Sequence, residues 1–134
     1  MKSLDKGWED KFVIKKSKIK GAGKGVFATK EIKKGEHIGY YTGKAIKAKQ
    51  LDKEPYISSL FILQITKNHF IYGEGKESNF VSFINHSNKP NAELIVSTRW
   101  KTGRIAAIRK IKPGEEIFYN YSDGYWKALE KTPG

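Results

Sequence analysis

The chain has 134 residues and a mass of 15.3 kDa, which is the size of one ordinary domain. Because it contains no cysteine, a disulfide framework, cysteine-ligated zinc, iron–sulfur clusters and cysteine nucleophiles are excluded. Its 26 lysines and arginines against 14 aspartates and glutamates give a net charge of +12, which favours an anionic partner, most simply nucleic acid.

Short segments rich in β-branched and aromatic residues, separated by glycines, fill most of the chain and predict a mainly β fold. About eight strands are expected from this pattern. They are Lys11 to Lys15, Gly25 to Thr29, His37 to Thr42, Leu60 to Thr66, His69 to Tyr72, Glu93 to Thr98, Arg104 to Arg109 and Glu116 to Tyr119. No internal repeat, low-complexity tract or linker divides the chain, so residues 1–134 are expected to form a single domain.

Turns and little helix are expected between these strands. Lys67 and Asn68 lie between two predicted strands and form the tip of a hairpin. A second turn is predicted at residues 101–103, where Gly103 is expected to adopt a positive φ. The best helix candidate is Ala45 to Lys53, ended by Pro55, and shorter turns are expected at Ser78 to Phe83 and at Tyr125 to Lys131.

A glycine-rich segment, Gly21-Ala22-Gly23-Lys24-Gly25, precedes the second predicted strand. It is not a phosphate-binding P-loop, because Lys24 precedes its glycine and no serine or threonine follows. It is not a dinucleotide-binding turn either, because Val26 and the residues after it continue as a strand and not as a helix. A loop that receives some other ligand and a plain turn between strands both remain open at this point.

Two polar residues, Asn85 and His86, directly follow an apolar segment that contains Phe80, Val81 and Ile84. Polar groups that emerge from a buried segment require hydrogen-bond partners, so by themselves these residues favour a structural role. The other histidines, His37 and His69, begin predicted strands without a second ligand at metal spacing. We therefore expect no metal site.

The C-terminal segment 116–126 is rich in tyrosine and ends with Trp126. Strand alternation places Tyr119 and Tyr121 on the same face. On a basic protein such aromatic side chains could stack on single-stranded nucleic acid, line a channel for a cation, or simply belong to the core.

The sequence carries no targeting or membrane signal. Its N-terminus is charged where a secretory signal needs an apolar region, and no apolar run exceeds that of Leu60 to Leu63 in length. We expect an intracellular protein of the cytoplasm, nucleus or nucleoid with no membrane partner. Only three of the 26 cations are arginines, so any contact with nucleic acid is expected to be non-specific.

Taken in order, these segments resemble the SET-domain protein lysine methyltransferases, and the resemblance runs from about residue 12 to residue 126. The family's glycine motif is matched by Gly23-Lys24-Gly25-Val26-Phe27-Ala28, and its tyrosine segment by Gly39-Tyr40-Tyr41-Thr42-Gly43. Its asparagine–histidine motif is matched by Phe83-Ile84-Asn85-His86-Ser87 with Pro90-Asn91 after it, and its last motif by Gly114-Glu115-Glu116-Ile117 leading to Tyr121. Four motifs in this order are highly specific.

The resemblance implies a SET-type β-clip fold of several small sheets with few short helices. It also implies a C-terminal pseudoknot, in which the segment around Tyr121 threads a loop near Asn85 and His86. Asn88 stands where many members have cysteine, and Asn120 stands where aspartate is common. The chain is therefore expected to be a minimal SET domain without the cysteine-rich zinc clusters that flank other members.

The resemblance implies S-adenosylmethionine as the methyl donor. By motif position, the backbone at Ala22, Gly23, Lys24 and Gly25 holds the amino-acid end of this cofactor with help from Asn85. His86 meets the adenine through its backbone, and Trp126 belongs to a C-terminal cover over the site.

The resemblance also implies the residues that act on the substrate. Tyr41 and Tyr119 line a narrow channel for the target lysine, and Tyr121 is the catalytic tyrosine. Since Tyr119 occupies a position where family members that add few methyl groups carry tyrosine, mainly monomethylation or dimethylation is expected. The substrate is expected to be a histone tail or another basic protein. The alternative reading is a non-catalytic basic β-domain that binds nucleic acid or protein.

Overall fold

The computed structural model describes residues 6–59 and 61–121. Ten strands lie in this part of the chain: β1 (Phe12–Lys16), β2 (Lys24–Ala28), β3 (His37–Tyr40), β4 (Lys44–Ile46), β5 (Ile62–Thr66), β6 (His69–Tyr72), β7 (Asn85–His86), β8 (Ala92–Ser97), β9 (Thr102–Ala107) and β10 (Phe118–Tyr119). The helical structure described there consists of short 3₁₀ turns at Trp8–Asp10, Ala48–Gln50 and Phe80–Phe83.

The strands form four small sheets. Strands β1 and β2 form an antiparallel pair, and two antiparallel three-stranded sheets have the orders β3-β9-β8 and β4-β6-β5. The fourth sheet is the parallel pair of β10 with β7, in which Phe118 lies opposite Asn85 and Tyr119 opposite His86. The predicted mainly β fold of several small sheets is confirmed.

Strands β5 and β9 bring the two three-stranded sheets together. Gly103 in β9 faces Leu63 in β5 so closely that an added Cβ would lie 2.6 Å from Leu63 Cδ2. Ile65, Leu94 and Ile105 are buried in the core that these sheets share. Burial of one such aliphatic side chain contributes about 1.5 to 3 kcal/mol, so this junction is a major source of stability.

The predicted helix Ala45 to Lys53 is wrong. Residues Lys44–Ile46 form strand β4, in which Ile46 is buried and lies opposite Phe70 of β6. A single 3₁₀ turn at Ala48–Gln50 is the only helical part of the predicted segment. Burial of Ile46 and the backbone hydrogen bonds to β6 outweigh the helix propensity of this lysine- and alanine-rich stretch.

Of the two predicted hairpin tips, one is confirmed and the other differs in the residue that has a positive φ. The tip at Lys67 and Asn68 is confirmed between β5 and β6. In the β8–β9 hairpin, however, the left-handed residue is Lys101, with a φ of 57°. Gly103 instead lies inside β9, where the close approach of Leu63 requires the absence of a side chain.

The other predicted turns and strands need smaller changes. The turn expected at Ser78 to Phe83 is confirmed as the 3₁₀ turn Phe80–Phe83, and the Asn79 side chain caps it by accepting a hydrogen bond from the backbone N–H of Val81. The strand expected at Glu116 to Tyr119 is regular only at Phe118–Tyr119. The C-terminal turn expected at Tyr125 to Lys131 lies outside the described residues.

Residues 114–119 run between β2 and β7. On one side, the backbone N–H of Ile117 donates to Val26 O at 2.8 Å. On the other side, the chain pairs with β7, and the loop after β7 closes over it because the N–H of Ser87 donates to Tyr119 O at 3.2 Å. This interlocked arrangement belongs to the expected pseudoknot fold. Among the described residues, no helix is both long enough and apolar enough to cross a membrane.

Asn91 ties the loop after β7 to the C-terminal segment. Its side chain is 2% exposed. Its Nδ2 donates to Glu116 O at 2.9 Å, and its Oδ1 accepts from the N–H of Phe118, also at 2.9 Å. Both backbone groups would lose their partner with a smaller side chain.

We therefore expect Asn91→Ala to lower the free energy of unfolding by about 2 to 4 kcal/mol, because two hydrogen bonds are lost and their partners stay buried. Asn68→Ala is the matched control. Its exposed Oδ1 accepts from the N–H of Ala48 at 2.8 Å, and water can replace it, so a loss below about 1 kcal/mol is expected. Urea unfolding measures both, and equal losses would contradict the assigned role of Asn91.

Candidate active site

A buried carboxyl group, that of Glu116, organises the centre of the site. Glu116 is 3% exposed. Its Oε2 accepts from Ser17 Oγ at 2.7 Å and from Asn85 Nδ2 at 3.2 Å, and its Oε1 accepts from the backbone N–H of Lys18 at 2.9 Å. The donors come from the segment after β1 and from β7. Glu116 therefore joins three segments that are far apart in the sequence.

The glycine-rich segment passes over this carboxyl group. Gly25 has no room for a side chain, because an added Cβ would collide with Glu116 Oε2 and would lie 3.1 Å from Asn85 Nδ2. Gly21 and Gly23 have φ values of 83° and 75°, and among residues 6–59 and 61–121 no atom beyond the adjacent residues lies within 4 Å of a Cβ placed on either of them. One glycine of the loop is thus packed against the site, and the other two border open space.

Asn85 connects the glycine-rich segment to Glu116. Its Nδ2 donates to Lys24 O at 2.9 Å as well as to Glu116 Oε2. Because both amide protons are used in these contacts, the side-chain oxygen of Asn85 is left as the group that can accept from a ligand.

His86 and Tyr121 hold each other in place. The backbone N–H of Tyr121 donates to His86 Nδ1 at 3.0 Å, which leaves the proton of a neutral His86 ring on Nε2. The Tyr121 hydroxyl donates to Ile84 O at 2.7 Å. Both ends of Tyr121 are therefore fixed by the segment that contains β7.

Three tyrosines, Tyr41, Tyr119 and Tyr121, lie together. The ring centroids of Tyr119 and Tyr121 are 4.8 Å apart, as expected for residues on the same face. Tyr41 and Tyr119 are 7% and 6% exposed, whereas Tyr121 is 43% exposed. The cluster therefore has two buried phenols and one phenol at its surface.

Burial raises the pKa of all three phenols. For Tyr119 the neighbouring Tyr121 and Tyr41 raise the pKa further, and for Tyr41 the neighbours with the same effect are Tyr121 and Glu74. For Tyr121 burial is the cause. Since each group is protonated at neutral pH, the cluster can donate and accept hydrogen bonds but does not supply a base.

Gly73 faces the Tyr41 ring. A Cβ on Gly73 would collide with the Tyr41 hydroxyl and would lie 2.7 Å from its Cζ. Glycine at this position therefore allows the buried phenol to occupy its place in the cluster.

The structure brings together most of the site residues expected from the sequence. Gly25 and Asn85 meet at the Glu116 carboxyl group, and His86 adjoins the tyrosine cluster through Tyr121. Ala22 lies in the glycine-rich loop, where its N–H donates to Ile19 O at 3.1 Å. Trp126 lies outside the described residues. The roles assigned to these residues stay predictions.

Sequence reasoning missed Glu116, Gly73 and Ser17. Two signals could have found Glu116: it belongs to the motif Gly114-Glu115-Glu116-Ile117, and it directly precedes the apolar Ile117 in a predicted strand. A charged residue in a buried strand needs a partner. Nothing in the sequence indicates the contact of Gly73 with Tyr41 or that of Ser17 with Glu116, because the partners are remote along the chain.

Comparison with known proteins gives consistent matches. A family model described as SET domain matches residues 23–122. The chain is 31% identical over 147 residues to the histone-lysine N-methyltransferase EZH2 of Chaetomium thermophilum, an alignment that covers 96% of this chain and 9% of that protein. It is 35% identical over 133 residues to a variant-silencing SET domain-containing protein of Plasmodium falciparum, which covers 87% of this chain and 5% of that protein.

A solved structure has the same fold. The structure of ctPRC2 in an autoinhibited conformation, bound to S-adenosylmethionine, superposes with a TM-score of 0.73 at 24% sequence identity. The superposition covers 90% of this chain and 16% of that chain. The present chain thus spans a small fraction of the length of each protein it matches.

The contacts of Glu116 generate a stability prediction. We expect Glu116→Gln to lower the free energy of unfolding by about 1 to 3 kcal/mol. Both oxygens of Glu116 accept hydrogen bonds, so the NH₂ group of a glutamine would replace one acceptor and face a donor. Glu115→Gln is the control, since Glu115 accepts from the N–H of Lys112 at 2.7 Å but lies at the surface. There the loss is expected to stay below about 1 kcal/mol. Chemical unfolding of both variants checks this, and the reverse order would refute it.

Proposed function

Because the chain belongs to the SET domain family, we propose that it is a protein-lysine N-methyltransferase that transfers a methyl group from S-adenosylmethionine to a lysine side-chain amine. The observation that carries the proposal is the juxtaposition of the three-tyrosine cluster with the site at Gly25, Asn85 and Glu116. The tyrosine cluster provides phenols that can contact an amine. The site at Gly25, Asn85 and Glu116 provides polar groups beside the glycine-rich loop.

The residues present fit S-adenosylmethionine. The space beside Gly21 and Gly23, which no other described residue fills, allows a ligand to approach the backbone of the loop. The Asn85 side-chain oxygen can accept from the ammonium group of the ligand, and its placement is fixed by Lys24 O and Glu116. When bound, this cofactor supplies an electrophilic methyl group on a positively charged sulfur. It is the donor implied by the family, and it is bound in ctPRC2.

The tyrosine cluster suits the orientation of a neutral amine. Since the Tyr121 O–H donates to Ile84 O, the phenol oxygen presents its lone pairs and can accept an N–H from the amine. Tyr41 and Tyr119 are buried next to it and shield the path of the amine from bulk solvent. Because the raised pKa values keep these phenols protonated, the ammonium proton of the substrate leaves to solvent before attack. Burial in such a channel lowers the pKa of the lysine and favours this loss.

We propose a histone tail or another basic protein as the substrate. This choice is supported by the relatives, whose names describe histone-lysine methyltransferases. The chemistry requires only that a lysine on an extended segment enters the cluster, so the choice among basic proteins rests on the family and not on a contact in this chain.

Tyr121→Phe tests the catalytic assignment. Loss of the hydroxyl removes the acceptor that orients the amine, so single-turnover methyl transfer is expected to fall about tenfold or more. Binding of S-adenosylmethionine, measured by calorimetry, is expected to be unchanged. Tyr56→Phe is the control, because Tyr56 stacks edge-on against Tyr72 and not in the cluster. Labelled cofactor with a mixture of core histones provides the assay, and near-normal turnover in Tyr121→Phe would remove the residue from the mechanism.

Tyr119 leads to a prediction on product multiplicity. We propose that its buried hydroxyl holds a water that hinders rotation of a methylated amine, so the protein mainly forms monomethyl-lysine or dimethyl-lysine. Tyr119→Phe removes the hydroxyl from a residue that is 6% exposed and is expected to raise the fraction of higher methylated product. Mass spectrometry of a methylated peptide after long incubation measures the distribution. Abundant trimethyl-lysine from the unmodified protein, or an unchanged distribution in the variant, would reject the idea.

A further inference from the structure

Three loops lie side by side at one end of the two three-stranded sheets, and we call them together the cationic tip: residues 47–50, 66–69 and 98–102. The N–H of Ala48 donates to Asn68 Oδ1 at 2.8 Å and ties the first loop to the second. His69 and Lys101 line the same cleft of about 250 Å³, which joins the second loop to the third. The cationic tip is therefore a continuous surface and not three separate loops.

The cationic tip contains positive charges and no negative charge of its own. It contains five exposed cations and no aspartate or glutamate: Lys47, Lys49, Lys67, Arg99 and Lys101. None of the five forms an ion pair in the part of the chain that the structure describes. Burial lowers the pKa of His69, and the positive charges of Lys101 and Lys47 lower it further. Cations of the first and third loops are therefore close enough to act on the same side chain.

An exposed tryptophan stands at the end of the third loop. Trp100 is 69% exposed, which is unusual for the largest apolar side chain. The Arg99 guanidinium lies 4.9 Å from the centre of the ring, and Ser97 Oγ accepts from the Trp100 backbone N–H at 3.1 Å. The turn that presents Trp100 is therefore held by its own hydrogen bond.

Lys101 adds a second unusual feature. It has a φ of 57°, a conformation in which glycine has no steric cost and a lysine does. A cation is thus present at a position where backbone geometry favours glycine.

We propose that the cationic tip binds single-stranded nucleic acid, with its cations on the phosphates and Trp100 stacked on an unpaired base. Unpaired bases offer a π-face to an exposed aromatic ring, and sequence-independent binding combines such stacking with a positive groove. In a duplex the bases already stack on each other, so Trp100 has no such partner there. A basic peptide is repelled by five cations, so a lysine-bearing tail is not the partner that suits this surface. The proposal does not depend on methyl transfer.

Fluorescence anisotropy with a labelled oligodeoxythymidine of about 20 nucleotides tests the proposal on the full chain, since such a probe has no base pairing and exceeds the site size of most single-strand binders. A duplex of equal length and polyglutamate are the competing probes. We expect the oligodeoxythymidine to bind more tightly than either one at about 0.1 M salt, where screening is close to physiological. Tighter binding of the duplex, or equal binding of polyglutamate, would overturn the proposal.

Trp100→Ala is expected to weaken binding of the oligodeoxythymidine about 5- to 150-fold, the loss expected for one base–aromatic stack. The same variant is expected to leave duplex binding unchanged. Lys101→Gly is expected to weaken binding without any loss of thermal stability, because it removes a cation and relieves the left-handed conformation together. A Trp100→Ala variant that is folded by circular dichroism and binds like the unmodified protein would overturn the stacking role.

A charge-matched pair of double variants locates the site. Lys67→Gln with Arg99→Gln removes two charges from the cationic tip. Lys34→Gln with Lys112→Gln removes two exposed charges near the opposite end of β9, where the N–H of Gly35 donates to Ala107 O. The Lys67→Gln, Arg99→Gln variant is expected to reduce the slope of log affinity against log salt by about 1.4, because each lost phosphate contact on a single strand lowers the slope by about 0.7. Equal effects of the two pairs would show attraction by net charge alone and would overturn the proposal.

Discussion

The buried carboxyl group of Glu116 is the constraint on which the rest of the site depends. A carboxyl group at 3% exposure is tolerated only when its oxygens are hydrogen-bonded. Its donors come from Ser17, Lys18 and Asn85, so the hydrogen bonds form only when the N-terminal hairpin, β7 and the C-terminal segment are all in place. Satisfying one carboxyl group thus assembles three remote parts of the chain.

The position of the tyrosines follows from this assembly. Residues 118 and 119 pair with β7, and the next turn of the chain places the Tyr121 N–H on His86 and the Tyr121 hydroxyl on Ile84 O. Any shift of the 116–119 segment along β7 would move Tyr119 and Tyr121 together, because a strand register fixes every side chain on it. The alignment of the phenols is therefore a property of the interlocked chain and not of a local loop.

Charge is divided between two regions of the molecule. The tyrosine cluster has neutral phenols whose raised pKa values keep them protonated, which suits the proposed binding of an amine beside a cationic cofactor. The cationic tip instead concentrates exposed lysines and arginine around Trp100. The two regions adjoin, because Lys101 and Tyr41 line the same cleft, so exposed positive charge of this +12 protein lies beside the tyrosine cluster and not within it.

The sequence alone determined the class of fold, most strand positions, the β5–β6 hairpin tip and the motifs that place the chain in the SET domain family. These features depend on local patterns: alternation of apolar and polar residues, glycines between strands, and short motifs in a fixed order. Tertiary contacts decided the rest. Ile46 became part of a strand because it is buried opposite Phe70, Gly103 is needed because Leu63 packs against it, and Glu116 is buried because donors from Ser17, Lys18 and Asn85 reach it. No local pattern encodes such contacts, since each partner lies far away in the chain and becomes a neighbour only after folding.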